Sequence, residues 1–353
     1  MWTAASTSGG CKAVRAAVYG AGALGTVLGA ALARGGVDVT LFSRSADHVA
    51  ALNASGARIT GLVDWTVPVR AAAPAEMDGV YNVIFLMTKQ MGNAEAAPRL
   101  KSHLAPEGAV CVLQNGIPEP DLADVLGKDR IVGGVVTWNA VRLGPGQASL
   151  SPPESSLTFQ TGTLPGAQVP ALETVEALLR LFCPVTRVPD LLGLRWSKLL
   201  INAVLSCPAS ILGGRCGDVM KDECWRRIAL HILQECVAAG HAAGVAFCAV
   251  QGHDYARELA FSDAAGERAA LEKAPALFAS NAPAVPSMLL DLQKGRPCEI
   301  EGLNGVICRT GRAHGVPTPC NDMAVALIRD IAAGRLDCSP AHAARFAPLL
   351  PAL

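Results

Sequence analysis

The first half of the chain alternates short apolar runs with turns and helical segments. The apolar runs predict strands at 16–20, 37–44, 57–59, 81–87, 109–113, 131–137 and 184–188. Runs such as YNVIFLM at 81–87 lack polar alternation, which is typical of strands covered on both faces of a parallel sheet. A small-residue helix is expected at 24–34, and a polar stretch with glycine and proline interrupts the pattern at 142–170. This half therefore predicts an α/β domain.

The pattern changes to a helical period after Pro189. Helices are predicted at 191–212, 219–243, 254–279, 287–294, 300–314 and 320–333. The fold class is thus an N-terminal α/β domain followed by an all-helical C-terminal domain. The expected boundaries are a flexible N-terminal tail at 1–12, the α/β domain at 13–188, the helical domain at 189–335 and a C-terminal tail at 336–353. That last segment is either loose or packed on the surface as a strap.

Residues 16–33 form an uncharged stretch that admits two interpretations. Its length and the GxxxG pair of Gly25 and Gly29 fit a membrane helix. The same stretch contains Gly20, Gly22 and Gly25 in the GxGxxG spacing of a dinucleotide site. A strand before these glycines and a helix after them favour a Rossmann-type nucleotide-binding domain. The expected pyrophosphate contacts are Gly20, Ala21, Gly22, Ala23, Leu24 and Gly25.

The end of the second predicted strand indicates which dinucleotide is bound. Sites that prefer NAD usually place an acidic residue there, to hold the ribose hydroxyls. This chain has Ser43 and Arg44 instead, and a hydroxyl beside an arginine can hold a 2′-phosphate by charge-assisted hydrogen bonds. We therefore expect NADP(H), with Arg44 as the discriminating residue. The alternative is that Arg44 is a solvated loop arginine.

Composition excludes several classes of function. Among 353 residues, 30 basic side chains balance 30 acidic ones, so nucleic acid and membrane surfaces are not expected partners. The 12 cysteines are scattered without a CxxC pair, which indicates buried thiols and no metal site, although a secreted disulfide protein stays open. The N-terminal segment lacks the apolar core of a signal peptide, so a cytoplasmic protein is expected.

The segment LRWSKLLINAVLSCPAS places Lys198, Asn202 and Ser206 four residues apart, on one stripe of a predicted helix. A lysine beside an asparagine is unfavourable to bury in an apolar segment, so the stripe is a candidate cleft. The alternative is the solvated face of an amphipathic helix.

Six separated motifs resemble the ketopantoate reductase (2-dehydropantoate 2-reductase) family. They occur in the family's order as GAGALG at 20–25, TKQ at 88–90, QNG at 114–116, WSKLLINA at 196–203, PSMLLDLQKGRPCEIEGLNG at 286–305 and GRAHGVPTPCND at 311–322. The resemblance implies NADPH-dependent reduction of 2-dehydropantoate to (R)-pantoate in pantothenate and coenzyme A biosynthesis. It thus implies an NADP-dependent oxidoreductase that acts on CH–OH groups.

The resemblance also assigns roles to individual residues. Lys198 matches the family's general acid, and Glu299 matches a glutamate near both the nicotinamide and the substrate. Lys89 and Asn115 match polar residues on the cofactor side, and Asn115 is also expected to touch the substrate. The substrate-binding set implied in this chain is Asn115, Lys198, Asn202, Ser206 and Ser287.

Two positions depart from the family pattern. Ser206 stands where a second asparagine is common, and Cys216-Gly217-Asp218 stands near the usual Asn-Gly-Glu step. Because shorter side chains remove donors, ketopantoate is the leading substrate, and another 2-oxo or 3-oxo acid, or an imine, is an alternative. A non-catalytic NADPH-binding protein is a further alternative, and it would not need Lys198. Ser287 could instead cap a helix, and Glu299 could be an exposed carboxylate. A homodimer is expected from the apolar helical domain.

Overall fold

The computed structural model describes residues 14–151, 154 and 157–351, so the predicted tail at 1–12 lies outside the described residues. The chain divides into two compact units. The first contains the described residues up to Gln114 and from Pro118 to Leu191, and the second contains Asn115–Ile117 and the described residues from Leu192 onward. The division therefore falls three residues after the expected boundary at 188.

The first unit is built on strands separated by helices. Its strands in the described chain are β1 (Arg15–Tyr19), β2 (Asp38–Phe42), β3 (Ala57–Gly61), β4 (Trp65–Val67), β5 (Arg70–Ala72), β6 (Tyr81–Leu86), β7 (Leu104–Val112), β8 (Ile131–Val136), β9 (Ala140–Gly144), β10 (Gln147–Leu150), β11 (Phe159–Gly162) and β12 (Val185–Arg187). Its helices are α1 (Ala23–Arg34), α2 (Ala46–Ser55), α3 (Asn93–Ser102), α4 (Glu119–Leu126) and α5 (Leu172–Arg180).

Eight of these strands form one sheet, in the order β12-β11-β8-β7-β6-β1-β2-β5. Neighbouring strands are parallel except β8 and β11, which pair antiparallel. The order β5-β2-β1-β6-β7-β8 is that of a dinucleotide-binding fold. In this fold the strand order reverses between β1 and β6, while the strands themselves stay parallel. Residues Ala16 to Val18 of β1 are fully buried, as expected for a strand at this centre.

The remaining four strands form a small second sheet in the order β4-β3-β10-β9. The predicted strand at 57–59 is therefore β3 of this second sheet, although its apolar pattern does not distinguish it from strands of the first. The stretch at 142–170 also contains β10, β11 and most of β9, which the sequence pattern did not predict. β9 is an edge strand, whereas β10 and β11 are paired on both sides but are only four residues long. Their sequences, QASL and FQTG, include polar residues and lack the continuous apolar signal of a central strand.

The second unit is helical, and its helices follow the prediction closely. They are α6 (Leu191–Ile201), α7 (Cys207–Leu212), α8 (Cys216–Lys221), α9 (Glu223–Ala242), α10 (Tyr255–Glu258), α11 (Ala264–Leu277), α12 (Ser287–Gln293), α13 (Asn304–His314) and α14 (Pro319–Ala332). The predicted helix at 219–243 is divided at Asp222, whose carboxylate accepts a hydrogen bond from the Trp225 backbone N–H at 3.0 Å and caps α9. The predicted helix at 254–279 is likewise divided, with Asp263 capping α11.

The end of the described chain packs on this helical unit as a strap. Two short 3₁₀ turns, Pro340–Arg345 and Ala347–Leu349, flank the fully buried Phe346. The Phe346 ring lies 6.0 Å from the Trp225 ring, and the Trp225 indole N–H donates to the Pro340 carbonyl at 3.2 Å. The strap therefore contributes an aromatic side chain to the core.

The cysteines from Cys111 to Cys338 are free thiols, and most are buried. Within the described ranges, no three His, Cys, Asp or Glu side chains are grouped so as to hold a metal ion. Within the same residues, no helix combines the length and the hydropathy needed to cross a membrane. The uncharged stretch at 16–33 is β1, a glycine turn and α1.

Candidate active site

The glycine turn, residues 20–25, joins β1 to α1, and its glycines serve different purposes. Gly20 has a φ of +114°, and a Cβ there would lie 2.6 Å from the Met87 carbonyl carbon and the Thr88 nitrogen. A Cβ on Gly25 would overlap the Gly20 carbonyl oxygen. Both positions therefore need glycine for the fold itself. Gly22 differs, since a Cβ there would meet no heavy atom within 4 Å, so this position leaves open space.

The N-terminus of α1 begins at this open space. Gly22 is the N-cap, and within the described chain neither a capping side chain nor an acidic residue occupies the first turn. The Gly22 carbonyl accepts hydrogen bonds from the Thr26 backbone N–H at 2.9 Å and the Thr26 hydroxyl at 2.6 Å, which hold the turn in place. Backbone N–H groups at a helix start attract anions, so the turn and the open space at Gly22 fit a pyrophosphate.

Ser43 and Arg44 follow β2 at the same edge of the sheet, with Ser43 half-buried and Arg44 exposed. The Ser43 hydroxyl accepts a hydrogen bond from the Ser45 backbone N–H at 3.3 Å. The hydroxyl and the guanidinium supply hydrogen-bond donors at the strand end where dinucleotide-binding folds hold the ribose.

Lys89 follows β6 and is half-buried at the start of the 3₁₀ turn Gln90–Gly92. Gln114, at the end of the neighbouring β7, holds this loop by donating to the Thr88 carbonyl at 2.8 Å. Gln114 also exchanges hydrogen bonds with the Asn93 amide at 2.8 and 2.9 Å. Gln114 of the QNG motif is therefore a supporting residue, a role that the sequence pattern did not predict.

A second group of predicted residues lines a pocket in the helical unit. This helical pocket is lined by Asn115, Asn202, Ser206, Ser287, Met288, Asp291, Glu299 and Leu303. Five of these eight were predicted from sequence. Met288, Asp291 and Leu303 were not, although all three belong to the long motif at 286–305. Asn115 joins this group because residues 115–117 belong to the helical unit, with Ile117 in its apolar core.

The segment that carries Asn202 and Ser206 is a π-helical turn between α6 and α7. Single π-turns inside helices are rare in proteins overall. Those that occur are often found at functional sites, because the wider turn redirects side chains. The buried Asn304 amide donates to the Ala203 carbonyl within this turn at 3.4 Å and to the Asn321 side-chain oxygen at 3.0 Å. Asn202 and Ser206 of the predicted stripe thus stand on a π-turn, which sequence spacing alone does not reveal.

Lys198 lies on α6, four residues before Asn202, and is half-buried. Two effects together lower the pKa of Lys198 from 10.5 to about 7. The larger is desolvation, and the smaller is the positive charge of the nearby Arg195 guanidinium. At neutral pH, its ammonium and amine forms are therefore present in comparable amounts. A lysine with this pKa is well suited to donate a proton near pH 7.

The two remaining motif residues sit at the starts of short helices. Ser287 is the first helical residue of α12, after Pro286 at the N-cap position, so it does not itself cap the helix. Glu299 is half-buried, and its backbone carbonyl accepts hydrogen bonds from the Gly302 and Leu303 N–H groups at 3.0 and 3.1 Å. Glu299 is one of the residues that line the pocket.

The second departure from the family pattern lies outside the lining residues. Cys216 is 5% exposed, and burial raises its thiol pKa to about 11. The Asp218 carboxylate accepts a hydrogen bond from the Arg215 backbone N–H at 2.8 Å and pairs with Lys221. These residues build the start of α8, whereas Ser206 does line the pocket.

Comparison with known proteins identifies the family. Residues 16–162 match the family model Ketopantoate reductase PanE/ApbA, and residues 190–332 match the model of its C-terminal part. A 2-dehydropantoate 2-reductase of Mesorhizobium japonicum is 29% identical over 350 residues, covering 90% of this chain and 98% of its own. The crystal structure of a PanE/ApbA family ketopantoate reductase from Ralstonia eutropha is 26% identical with a TM-score of 0.75, covering 91% of this chain and 99% of its own.

One solved structure of another activity shares the fold. It is the ternary structure of D-mandelate dehydrogenase with NADH and anilino(oxo)acetate, which is 21% identical, has a TM-score of 0.77 and covers 91% of this chain and 99% of its own. The two family models together account for most of the chain, in the order of the two structural units. The chain belongs to the ketopantoate reductase family and is an oxidoreductase that acts on CH–OH groups.

Proposed function

We propose that this protein reduces 2-dehydropantoate (ketopantoate) to (R)-pantoate with NADPH, and that Lys198 is the general acid. The observation that carries the proposal is a half-buried lysine with a pKa near 7, one helical turn before Asn202 of the helical pocket. Relatives that cover nearly the whole chain are named 2-dehydropantoate 2-reductase, which supports the substrate.

The proposed cofactor is a nicotinamide dinucleotide, which supplies a hydride from C4 of its ring when bound. D-mandelate dehydrogenase, of the same fold, was solved with NADH. In this chain Ser43 and Arg44 favour NADP(H), because a 2′-phosphate gains hydrogen bonds there that a 2′-hydroxyl does not. The proposed cofactor contacts are residues 20–25, Ser43, Arg44, Lys89, Asn115 and Glu299.

Lys198 has two proposed roles during reduction. As hydride adds to C2 of the ketone, the C=O π electrons move to the oxygen, where the ammonium stabilises the growing negative charge. The Nζ proton then passes to that oxygen, which leaves a C2 alcohol and a neutral amine. Since the Lys198 pKa is about 7, the amine regains a proton readily from solvent at neutral pH.

The residues that line the helical pocket are proposed to orient the substrate. A 2-oxo acid brings a carboxylate, which needs hydrogen-bond donors when it leaves water. The amides of Asn115 and Asn202 and the hydroxyl of Ser287 supply such donors around the pocket. The Glu299 carboxylate is an acceptor, suited to a substrate hydroxyl rather than to the acid group.

A related substrate is the second candidate, and Ser206 favours it. This hydroxyl lines the pocket where the family commonly has an amide, so the side chain is shorter and offers one donor. A site that depended on the missing amide would lose discrimination for the 4-hydroxyl of ketopantoate. A simple 2-oxo acid without that hydroxyl would then react equally well.

The test is a panel of 2-oxo acids, including ketopantoate and an analogue without the 4-hydroxyl, assayed by NADPH oxidation with NADH in parallel. The proposal predicts turnover of ketopantoate, with NADPH preferred. Equal kcat/KM for ketopantoate and the analogue would establish the second candidate. If none of the 2-oxo acids is turned over, both candidate substrates are contradicted. That result would favour an imine substrate or a non-catalytic NADPH-binding protein.

Three broader expectations remain proposals. They are a place in pantothenate biosynthesis, a cytoplasmic location and a homodimer. Light scattering on the purified protein tests the dimer directly, because a mass near 36.5 kDa would identify a monomer.

A further inference from the structure

The hairpin of β9 and β10 brings an arginine from far along the chain to the end of β2. Arg142 of β9 is exposed, and its Nη2 donates to the Ser45 hydroxyl at 3.4 Å. Ser45 in turn donates its backbone N–H to the Ser43 hydroxyl at 3.3 Å. Arg142 therefore lies at the strand end that carries Ser43 and Arg44, although 97 residues separate it from Ser45.

A directed chain of hydrogen bonds fixes this hairpin relative to the glycine turn. The Gly146 backbone N–H, in the hairpin loop, donates to His48 Nδ1 at 2.9 Å. His48 Nε2 therefore carries the ring proton, and it lies 3.1 Å from the Thr26 hydroxyl. The Thr26 hydroxyl donates to the Gly22 carbonyl at 2.6 Å. Each group thus donates one hydrogen bond to the next, from the hairpin to Gly22.

His48 suits this linking role because it stays neutral. Its side chain is fully buried, and desolvation together with the charge of Arg142 lowers the His48 pKa. A neutral imidazole with a fixed tautomer keeps one acceptor for Gly146 and one donor for Thr26. The hairpin that carries Arg142 is consequently anchored to α1 and α2 through Thr26 and His48.

The Arg142 guanidinium makes two long hydrogen bonds, which a stronger acceptor would replace. Its bonds to the Ser45 hydroxyl and the Gly144 carbonyl are both 3.4 Å, beyond the usual range for N–H to oxygen. A guanidinium carries five donors in a planar fork that matches a phosphate. A phosphate at Ser43 would offer shorter, charge-assisted hydrogen bonds in place of these long ones.

We propose that Arg142 is a second cation, besides Arg44, of the ribose 2′-phosphate site at the end of β2. This inference rests on the proposed use of NADP(H). A monoester phosphate carries nearly two negative charges at neutral pH, and two arginines from separate elements match it better than one. NADH has only a hydroxyl at this position, so Arg142 selects between the two dinucleotides.

Calorimetric titration of the whole protein with NADPH, NADH and adenosine 2′-monophosphate tests the proposal. The variants are Arg142→Ala, Arg142→Lys and Arg44→Ala, with Val141→Ala as the matched control. Val141 is 57% exposed on the same strand and is next to Arg142. We expect R142A to raise the Kd for NADPH and for adenosine 2′-monophosphate about tenfold, in the range of a charge-assisted hydrogen bond. The Kd for NADH should stay within about twofold, since it has no 2′-phosphate to lose a contact.

The remaining arms separate a charge effect from a structural one. R142K should recover part of the NADPH affinity, because it restores the cation without the fork, and V141A should bind as wild type. Unchanged NADPH affinity in R142A would overturn the proposal, as would equal losses for NADPH and NADH. If the wild type binds NADPH and NADH equally, the proposed preference for NADP(H) fails as well. If the wild type prefers NADPH and R142A binds it with the same affinity, only the role of Arg142 fails.

Discussion

Replacing Lys198 by methionine should make the protein more stable while removing its activity. The lysine holds a cation in an environment that disfavours charge, and its pKa falls from 10.5 to about 7 on folding. Each pKa unit corresponds to about 1.4 kcal/mol, so this drop gives an upper limit of about 5 kcal/mol for the unfavourable charge. Because Lys198 is only half-buried, solvent screening reduces the expected gain to about 1–3 kcal/mol.

The gain should depend on pH in a defined direction. Below about pH 7 the lysine is protonated in both states, so the folded protein carries the full penalty. Between pH 7 and 10.5 the unfolded chain binds the proton and the folded protein does not, so wild-type stability rises with pH. The advantage of Lys198→Met should therefore be largest below pH 7 and vanish near pH 10.5.

Thermal unfolding at pH 6, 8 and 10 measures this dependence. Lys273→Met is the matched control, because Lys273 is exposed on α11 of the same unit. The control should not change the melting temperature at any of these pH values. A Lys198→Met protein that is less stable than wild type, or whose advantage grows with pH, would refute the assigned environment of this lysine.

Three further predictions concern the acid, the glycine turn and the strap. Since the protonated lysine is the acid, kcat/KM for ketone reduction should be level below about pH 7 and fall tenfold per pH unit above it, and a level profile from pH 6 to 9 would contradict this. Gly22→Ala should fold with an unchanged melting temperature but bind NADPH at least tenfold more weakly in a fluorescence titration. Gly25→Ala should unfold at lower temperature, because its Cβ overlaps the Gly20 carbonyl. Equal melting temperatures of the two variants would contradict the separate purposes assigned to these two glycines. Phe346→Ala should lower the stability of the helical unit by about 3–5 kcal/mol in urea unfolding, and a loss under about 1 kcal/mol would show that the strap is not part of the core.

Sequence periodicity predicted the elements that a continuous apolar signal marks. The central strands β1, β6, β7 and β8 are buried on both faces, and each lies within a few residues of its expected position. The helical domain was also predicted, since a 3.6-residue period persists over long segments. The grouping of Asn115 with Asn202, Ser206, Ser287 and Glu299 follows the family motifs rather than any local pattern.

The features that the sequence did not reveal depend on tertiary contacts. The second sheet pairs β3 with β10 in parallel across about 90 residues, and no local signal encodes that partner. The π-turn at 202–206 rests partly on Asn304, which lies 101 residues from its acceptor Ala203. The His48 link was missed for the same reason, because Thr26 and Gly146 meet it only in the folded domain.

Reduction of ketopantoate by NADPH, with Lys198 as the acid, is the proposed function of this chain. The most direct measurement is kcat for ketopantoate at saturating NADPH, in the wild type and in Lys198→Ala, with NADPH affinity measured for both proteins. We predict turnover by the wild type, a loss of about 10²–10⁴-fold in the variant and an unchanged Kd for NADPH. Comparable turnover in the two proteins, or no oxidation of NADPH by the wild type, would contradict the account.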